Sequence, residues 1–314
     1  MDALSHALIG LAVAGLSGQP VSAGDPVYIA AVLGAQAPDF DIIAQVKGSL
    51  AYLRQHRAFS HSIPGLIIWS SLIACGMRLF MPSTNIFVLF GWAFAGSLSH
   101  VLMDYFNTHG TAILWPYQKI RKSCHLLNVF DPVLLTLMLS PFAYDLTPMH
   151  ISLAIFTIII LYIFTRIYLR RRATKWLSNH FGNYKIIRIL VMPSLKRIFF
   201  WDFVLETDNS YFIGQIGALY PVLEIRTTLP QKNGVSDMTA EAQKTPIGDF
   251  FTTFTPFIYY EEQQERDFSK VNIYDLRYIM NKQFIHSATI LFGENNIPYD
   301  SYMESYGRKI KVPC

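Results

Sequence analysis

Three long apolar runs constrain this chain more than any other feature. Residues 62–80 (SIPGLIIWSSLIACGMRLF), 86–103 (IFVLFGWAFAGSLSHVLM) and 151–169 (ISLAIFTIIILYIFTRIYL) each approach the ~20 residues that a helix needs to cross ~30 Å of hydrocarbon. Backbone polar groups in lipid must bond within their own segment, so the runs are read as transmembrane helices. Composition agrees: 52% of the 314 residues are apolar and 15% are charged, against about 25% charged in an ordinary soluble domain. Residues 126–144 form a fourth candidate span, interrupted by Asp131, Pro132 and Pro141. Residues 3–18 and 27–37 are apolar and rich in Ala and Gly. At ~1.5 Å per residue the second reaches only about 16 Å. The pair therefore reads as a short hairpin that enters the membrane partway and packs on the longer helices through its small residues.

Lys and Arg set the expected orientation. Segment 38–61 carries Lys47, Arg54 and Arg57, segment 104–125 carries Lys119, Arg121 and Lys122, and the last span runs into Arg166, Arg170, Arg171, Arg172 and Lys175. The connections 19–26, 81–85 and 145–150 carry none. This alternation predicts a multi-pass membrane protein, with the N-terminus, the two long loops and the C-terminal region in the cytoplasm. A net charge of +4 gives no argument for nucleic acid as a partner; the partner expected from location is membrane lipid.

From about residue 176 the pattern changes. Stretches 199–206, 210–217, 222–227 and 285–292 are rich in β-branched and aromatic residues and alternate in polarity, which favours strands. Residues 228–248 read as a polar loop. The predicted architecture is a mainly α integral membrane helical bundle over 1–175, followed by a small β-rich (α+β) cytoplasmic domain over 176–314. Cys75, Cys124 and Cys314 are widely separated and form no CxxC pair, so neither a disulfide framework nor a thiolate metal site is expected. The N-terminus lacks a basic stretch and a small-residue cleavage site, and is not read as a signal peptide.

Five of the nine histidines, His6, His56, His61, His100 and His109, fall in the first 110 residues, among Asp2, Asp39, Asp41 and Asp104. His100 and Asp104 are spaced i,i+4 and share one helix face, as do Asp2 and His6. His6 starts the first apolar segment, Asp39 and Asp41 follow the second, His61 begins the third, and His100 and Asp104 end the fourth. The alternation of loops therefore puts all of them at one depth on one side. Ionisable groups at a membrane boundary are costly unless paired or functional, and imidazole with carboxylate is the donor set of catalytic zinc and related ions. Each residue also has a plainer reading. Asp2 suits a helix N-terminus, Asp39 and Asp41 suit caps, His56 suits a solvent-facing loop beside Arg57, and His109 suits a turn before Gly110. His125, His150, His180 and His286 have no acidic partner at a useful spacing. There is no phosphate-binding loop, HExxH or GxSxG.

The motifs MDxxxH, APDFD, HRxxSHS and SHxxxDxxNTHG resemble those of the bacterial membrane-bound metal-dependent hydrolase family, which includes LexA-regulated inner-membrane proteins. The resemblance covers roughly residues 1–170. A more distant likeness, in order and spacing, is to the zinc-dependent phospholipase C and P1 nuclease group. It matches His6, Asp39 (or Asp41), His61, His100, Asp104 and His109, and that group also uses its N-terminal amine. These likenesses imply a hydrolase with a divalent metal, zinc or manganese, most simply two ions, acting on a phosphoester that is lipid-linked given the depth of the site. Asp104 would bridge or bind metal, and Asp41 or His56 would act as general base or orient the ligands. The alternative from another class is a non-enzymatic membrane protein with a structural or sensory metal and a partner-binding C-terminal domain. A metal transporter ranks behind both, because its ligands belong near mid-membrane.

Overall fold

The computed structural model describes residues 1–40, 58–118, 120–232, 234–265, 268–280, 282–293, 296–312 and 314. It divides into two compact units, Met1–Tyr168 and Leu169–Cys314. The division falls inside a helix, seven residues before the change in sequence pattern.

The first unit is helical. Helix α1 (Ala3–Gly15) and helix α2 (Pro26–Gln36) form an antiparallel pair, and Gln36 Nε2 donates to the Ala3 carbonyl at 2.8 Å where they meet. Both starts are capped by carboxylates. Asp2 accepts from the Ser5 amide and hydroxyl, and Asp25 accepts from the Val27 and Tyr28 amides. These are the roles an acid fills at a helix N-terminus. Asp2 is thus a cap. Helices α3 (Ile63–Phe80) and α4 (Ile86–Phe106) follow, and the long α6 (Pro148–His180) closes the unit. These three are long and apolar enough to cross a membrane.

Residues 126–144, expected as a candidate span, instead hold α5 (Pro132–Leu139) and a 3-10 turn, Ser140–Ala143. Asp131 caps α5 through the Leu134 amide, and Pro141, which lacks an amide hydrogen, stands where the α-helical pattern stops. The short helices are held by close packing. A Cβ on Gly34 would lie 2.1 Å from the Ala93 carbonyl oxygen, and one on Gly96 would lie 2.1 Å from that of Ala31. Helices α2 and α4 therefore touch backbone to backbone, as small residues allow in membranes. Leu8, Ile9 and Ala12 of α1 pack with Leu134, Met138, Ile155 and Ile159 in a second layer.

Among the described residues, the second unit holds two larger antiparallel sheets and a two-stranded one. The first has the order β1 (Ile186–Pro193), β2 (Phe200–Thr207), β3 (Ser210–Gly217) and β4 (Leu223–Pro230). The second contains β5 (Ile258–Gln264), β6 (Ser269–Asp275), β9 (His286–Phe292), β10 (Pro298–Ser305) and β11 (Arg308–Val312), in the order β11-β10-β9-β6-β5. A small hairpin, β7 (Ile279–Met280) and β8 (Gln283–Phe284), joins β6 to β9. The stretch 228–248, expected as loop, ends β4 and carries α7 (Asp237–Lys244), followed by α8 (Pro246–Phe254). Its polar composition hides two helix starts. Ser236 accepts from the Thr239 amide and Thr245 from the Gly248 amide, with Pro246 in the first turn of α8. These are ordinary start signals, and Ile247, Phe250 and Phe251 give α8 its buried face.

Candidate metal centre

The helical unit brings the ends of several elements together. Asp39 lies in the 3-10 turn, 37–40, that follows α2. His61 sits just ahead of α3, whose cap Ser62 accepts from the Gly65 amide and donates to the Phe59 carbonyl. His100 and Asp104 occupy successive turns of α4, one helical repeat apart. One donor atom from each of Asp39, His61, His100 and Asp104 lies within 4.8 Å of all the others.

The spacing of these atoms is informative. His61 Nε2 and His100 Nε2 are 3.2 Å apart. Asp39 Oδ1 is 3.6 Å from His61 Nε2 and 3.5 Å from His100 Nε2, and Asp104 Oδ2 is 3.5 Å and 3.8 Å from the same two nitrogens. Four donors at ~2.1 Å from a tetrahedral ion stand about 3.4 Å from one another. The set therefore has the dimensions of a divalent-metal shell, slightly expanded.

Proton positions point the same way. His100 Nδ1 lies 2.7 Å from the Ala35 carbonyl. A carbonyl only accepts, so Nδ1 holds the proton, and the Nε2 of the neutral ring presents a lone pair to the cluster. This is the outer hydrogen bond that usually orients a ligating imidazole. Ser60 Oγ lies 2.9 Å from His61 Nδ1 and holds that ring in a similar way.

Asp104 faces a second group of donors through its other oxygen. The Met1 amine donates to Asp104 Oδ1 and lies 2.9 Å from His6 Nε2. His6 Nε2 is 3.4 Å from the same oxygen, and its ring stacks on His100 at 3.6 Å between centroids. His6 Nδ1 is buried and has no hydrogen-bond partner among the described residues. Asn107 also donates to Asp104 Oδ1, at 2.7 Å.

His6, His61, His100 and Asp104 are fully buried, whereas Asp39 is 32% exposed. The cluster is therefore least buried at Asp39.

The structure thus gathers His6, Asp39, His61, His100 and Asp104. It does not bring His109 into the four-donor set. The His109 amide donates to Asn107 Oδ1 at 2.8 Å and its Nδ1 lies 3.3 Å from Thr108 Oγ1. Asp41 and His56 lie outside the described residues. Sequence reasoning missed Asn107 and the Ala35 carbonyl. Asn107 carried a signal, three residues after Asp104 in the SHxxxDxxNTHG motif. Ala35 carried none, because its role is made by a backbone oxygen.

Residues 1–173 match the family described as YdjM inner membrane protein. The chain belongs to that family. Its YdjM-type region coincides with the helical unit that carries the whole donor cluster, and the chain is accordingly a membrane protein. Residues 237–310 match the YfhP C-terminal alpha/beta plait domain, which corresponds to α7, α8 and most of the five-stranded sheet. A relative that spans both parts is the uncharacterized protein YfhP of Bacillus subtilis (strain 168). It is 27% identical over 312 residues, covering 96% of this chain and 94% of that protein. No solved structure matches.

Proposed function

We propose that this YdjM-family chain is a membrane-bound, metal-dependent hydrolase of a phosphoester. Asp39, His61, His100 and Asp104 Oδ2 would hold one divalent ion, zinc or manganese. His6 and Asp104 Oδ1, beside the Met1 amine, would hold a second. The observation that carries this reading is the position of Asp104, one oxygen toward each donor set. A carboxylate shared in this way would hold two ions close together, as a two-ion phosphoester site needs.

When bound, the ions would supply Lewis-acid charge and a nucleophile available at neutral pH. The chain's own contribution is orientation. Ala35 and Ser60 fix the two imidazoles, Asn107 fixes Asp104, and the exposed edge of Asp39 leaves a path for substrate. The alternation of Lys and Arg between segments supports a multi-pass path with the site at the cytoplasmic face, at the depth of lipid head groups.

One observation favours a second reading. Four protein donors are enough to close a tetrahedral shell, as in structural zinc sites. In that case the cluster is a structural or sensory metal site and the plait domain binds a partner.

Metal content per chain of the detergent-purified protein separates the two, measured beside a His100→Ala/Asp104→Ala variant and paired with a screen of phosphoesters. About two equivalents of zinc or manganese, with turnover that the variant abolishes, would support the hydrolase. One tight equivalent without turnover would support the structural site. No metal after reconstitution would overturn both.

A further inference from the structure

A cavity of about 320 Å³ lies in the helical unit, lined by Tyr105, Thr111, Ile113, Leu114, Gln118, Ile120 and Lys122. We propose that it seats the phosphate-bearing head group of a membrane lipid. The inference rests on the phosphoester reading above and names the class of substrate that would reach the metal centre.

The walls are built by a turn and a bridge. Gly110 adopts φ +67°, a conformation that suits glycine. A Cβ there would also strike the Lys122 carbonyl, at 2.3 Å. The turn lets Thr111 and Lys122 pair as an antiparallel bridge, with N–H···O distances of 3.1 and 3.0 Å. Residues directly opposite in such a pair project to the same face, and both line the cavity.

Thr111 is 1% exposed, and its hydroxyl has no hydrogen-bond partner among the described residues. A buried hydroxyl normally has one; Thr111 belongs to the cavity wall, with its oxygen shielded from the open volume. Lys122 supplies a cation, and Gln118 an amide, to the same space. Together they form a donor set for a phosphate.

The rest of the lining indicates where the phosphate comes from. Ile113, Leu114 and Ile120 are apolar, and Leu114 and Ile120 are exposed, as is the neighbouring Tyr117. Arg121 stands between Ile120 and Lys122. Basic residues interleaved with exposed apolar and aromatic side chains are the pattern of a segment lying at an anionic lipid surface. A free phosphate would need the cation and the donors but not the apolar wall.

The cavity is also tied to the metal centre. Asn107 donates to Asp104 Oδ1, while its own Oδ1 accepts from the His109 and Gly110 amides at 2.8 and 3.2 Å. Ser123, next to Lys122, donates to the Asn107 carbonyl. One hydrogen-bonded turn therefore links the shared carboxylate to the wall that carries Thr111 and Lys122.

The test measures binding rather than turnover. Full-length protein, stripped of metal with a chelator and held in phosphatidylcholine nanodiscs, is titrated with dioleoylphosphatidic acid. Dioleoylglycerol and soluble glycerol 3-phosphate are the comparison probes. The expected result is saturable binding of phosphatidic acid, at least tenfold weaker binding of both comparison probes, a loss of about tenfold for Lys122→Gln and several-fold for Thr111→Val. Equal binding to wild type and Lys122→Gln would overturn the proposal. So would glycerol 3-phosphate binding as tightly as the lipid, which would mark a site for free phosphate. Lys122-dependent lipid binding in a protein that hydrolyses nothing when loaded with metal would uphold the cavity while removing the hydrolase.

Discussion

Asp104→Asn isolates the part of the cluster on which the functional reading depends. The substitution is isosteric and sits at a fully buried position on α4, so it opens no cavity. Its effect is electrostatic and directional. Oδ1 accepts from both the Met1 amine and Asn107. An amide nitrogen placed there would confront two donors. The variant therefore keeps its carbonyl oxygen at that position and turns its amide group to the Oδ2 position, facing His61 and His100. The fold is retained, and the four-donor set loses a ligand and one negative charge together. Removing one partner of a buried charged pair costs about 3–5 kcal/mol, which at 1.4 kcal/mol per tenfold is roughly 10²–10⁴-fold in metal affinity. Competition with a chromophoric chelator measures that affinity, and thermal unfolding in the same detergent checks the fold. Wild-type metal affinity in a well-folded variant would refute Asp104 as a shared ligand. Loss of folding without metal in either protein would show it to be a packing anchor.

Two further outcomes follow from packing and from titration. Gly96→Ala places a methyl group 2.1 Å from the Ala31 carbonyl, a backbone atom that cannot turn away, so α2 and α4 must separate. The expected cost is about 1–3 kcal/mol or more, read as a fall in the detergent unfolding midpoint, whereas Gly91→Ala, with nothing within 4 Å, should be near neutral. In the C-terminal unit, burial lowers His286 from 6.5 to about 4, with Asp275 opposing and Arg277 reinforcing the shift; its ring stands against Phe254, Tyr278 and Tyr306. A base held neutral in the fold binds protons more readily when unfolded, so stability is complete above pH 6.5 and declines as pH falls toward 4, by up to about 3 kcal/mol. Chemical denaturation at pH 7 and pH 5 should show a steeper loss for wild type than for His286→Gln, and equal slopes would contradict the assignment.

What the sequence determined by itself is periodic or local. Length and apolarity identify the three long helices, because lipid leaves a 20-residue apolar run no other backbone solution. The i,i+4 spacing of His100 and Asp104 is fixed by helix geometry alone, and alternating polarity marks strands such as β3 and β9. The placement of His6, Asp39 and His61 beside that pair was readable in outline, since each falls at a segment end on the same side of an alternating pattern. The helices within 228–248 were hidden because a capping hydroxyl and a buried face only two turns long leave little periodic signal. The position of Asp104 with one oxygen toward each donor group, the carbonyl of Ala35 beneath His100, and the facing of Thr111 and Lys122 came only from tertiary structure. Each depends on how closely two backbones approach: Gly34 and Gly96 let α2 lie against α4, and Gly110 lets the chain meet the Lys122 carbonyl. A residue's own neighbours in the chain carry no record of such an approach.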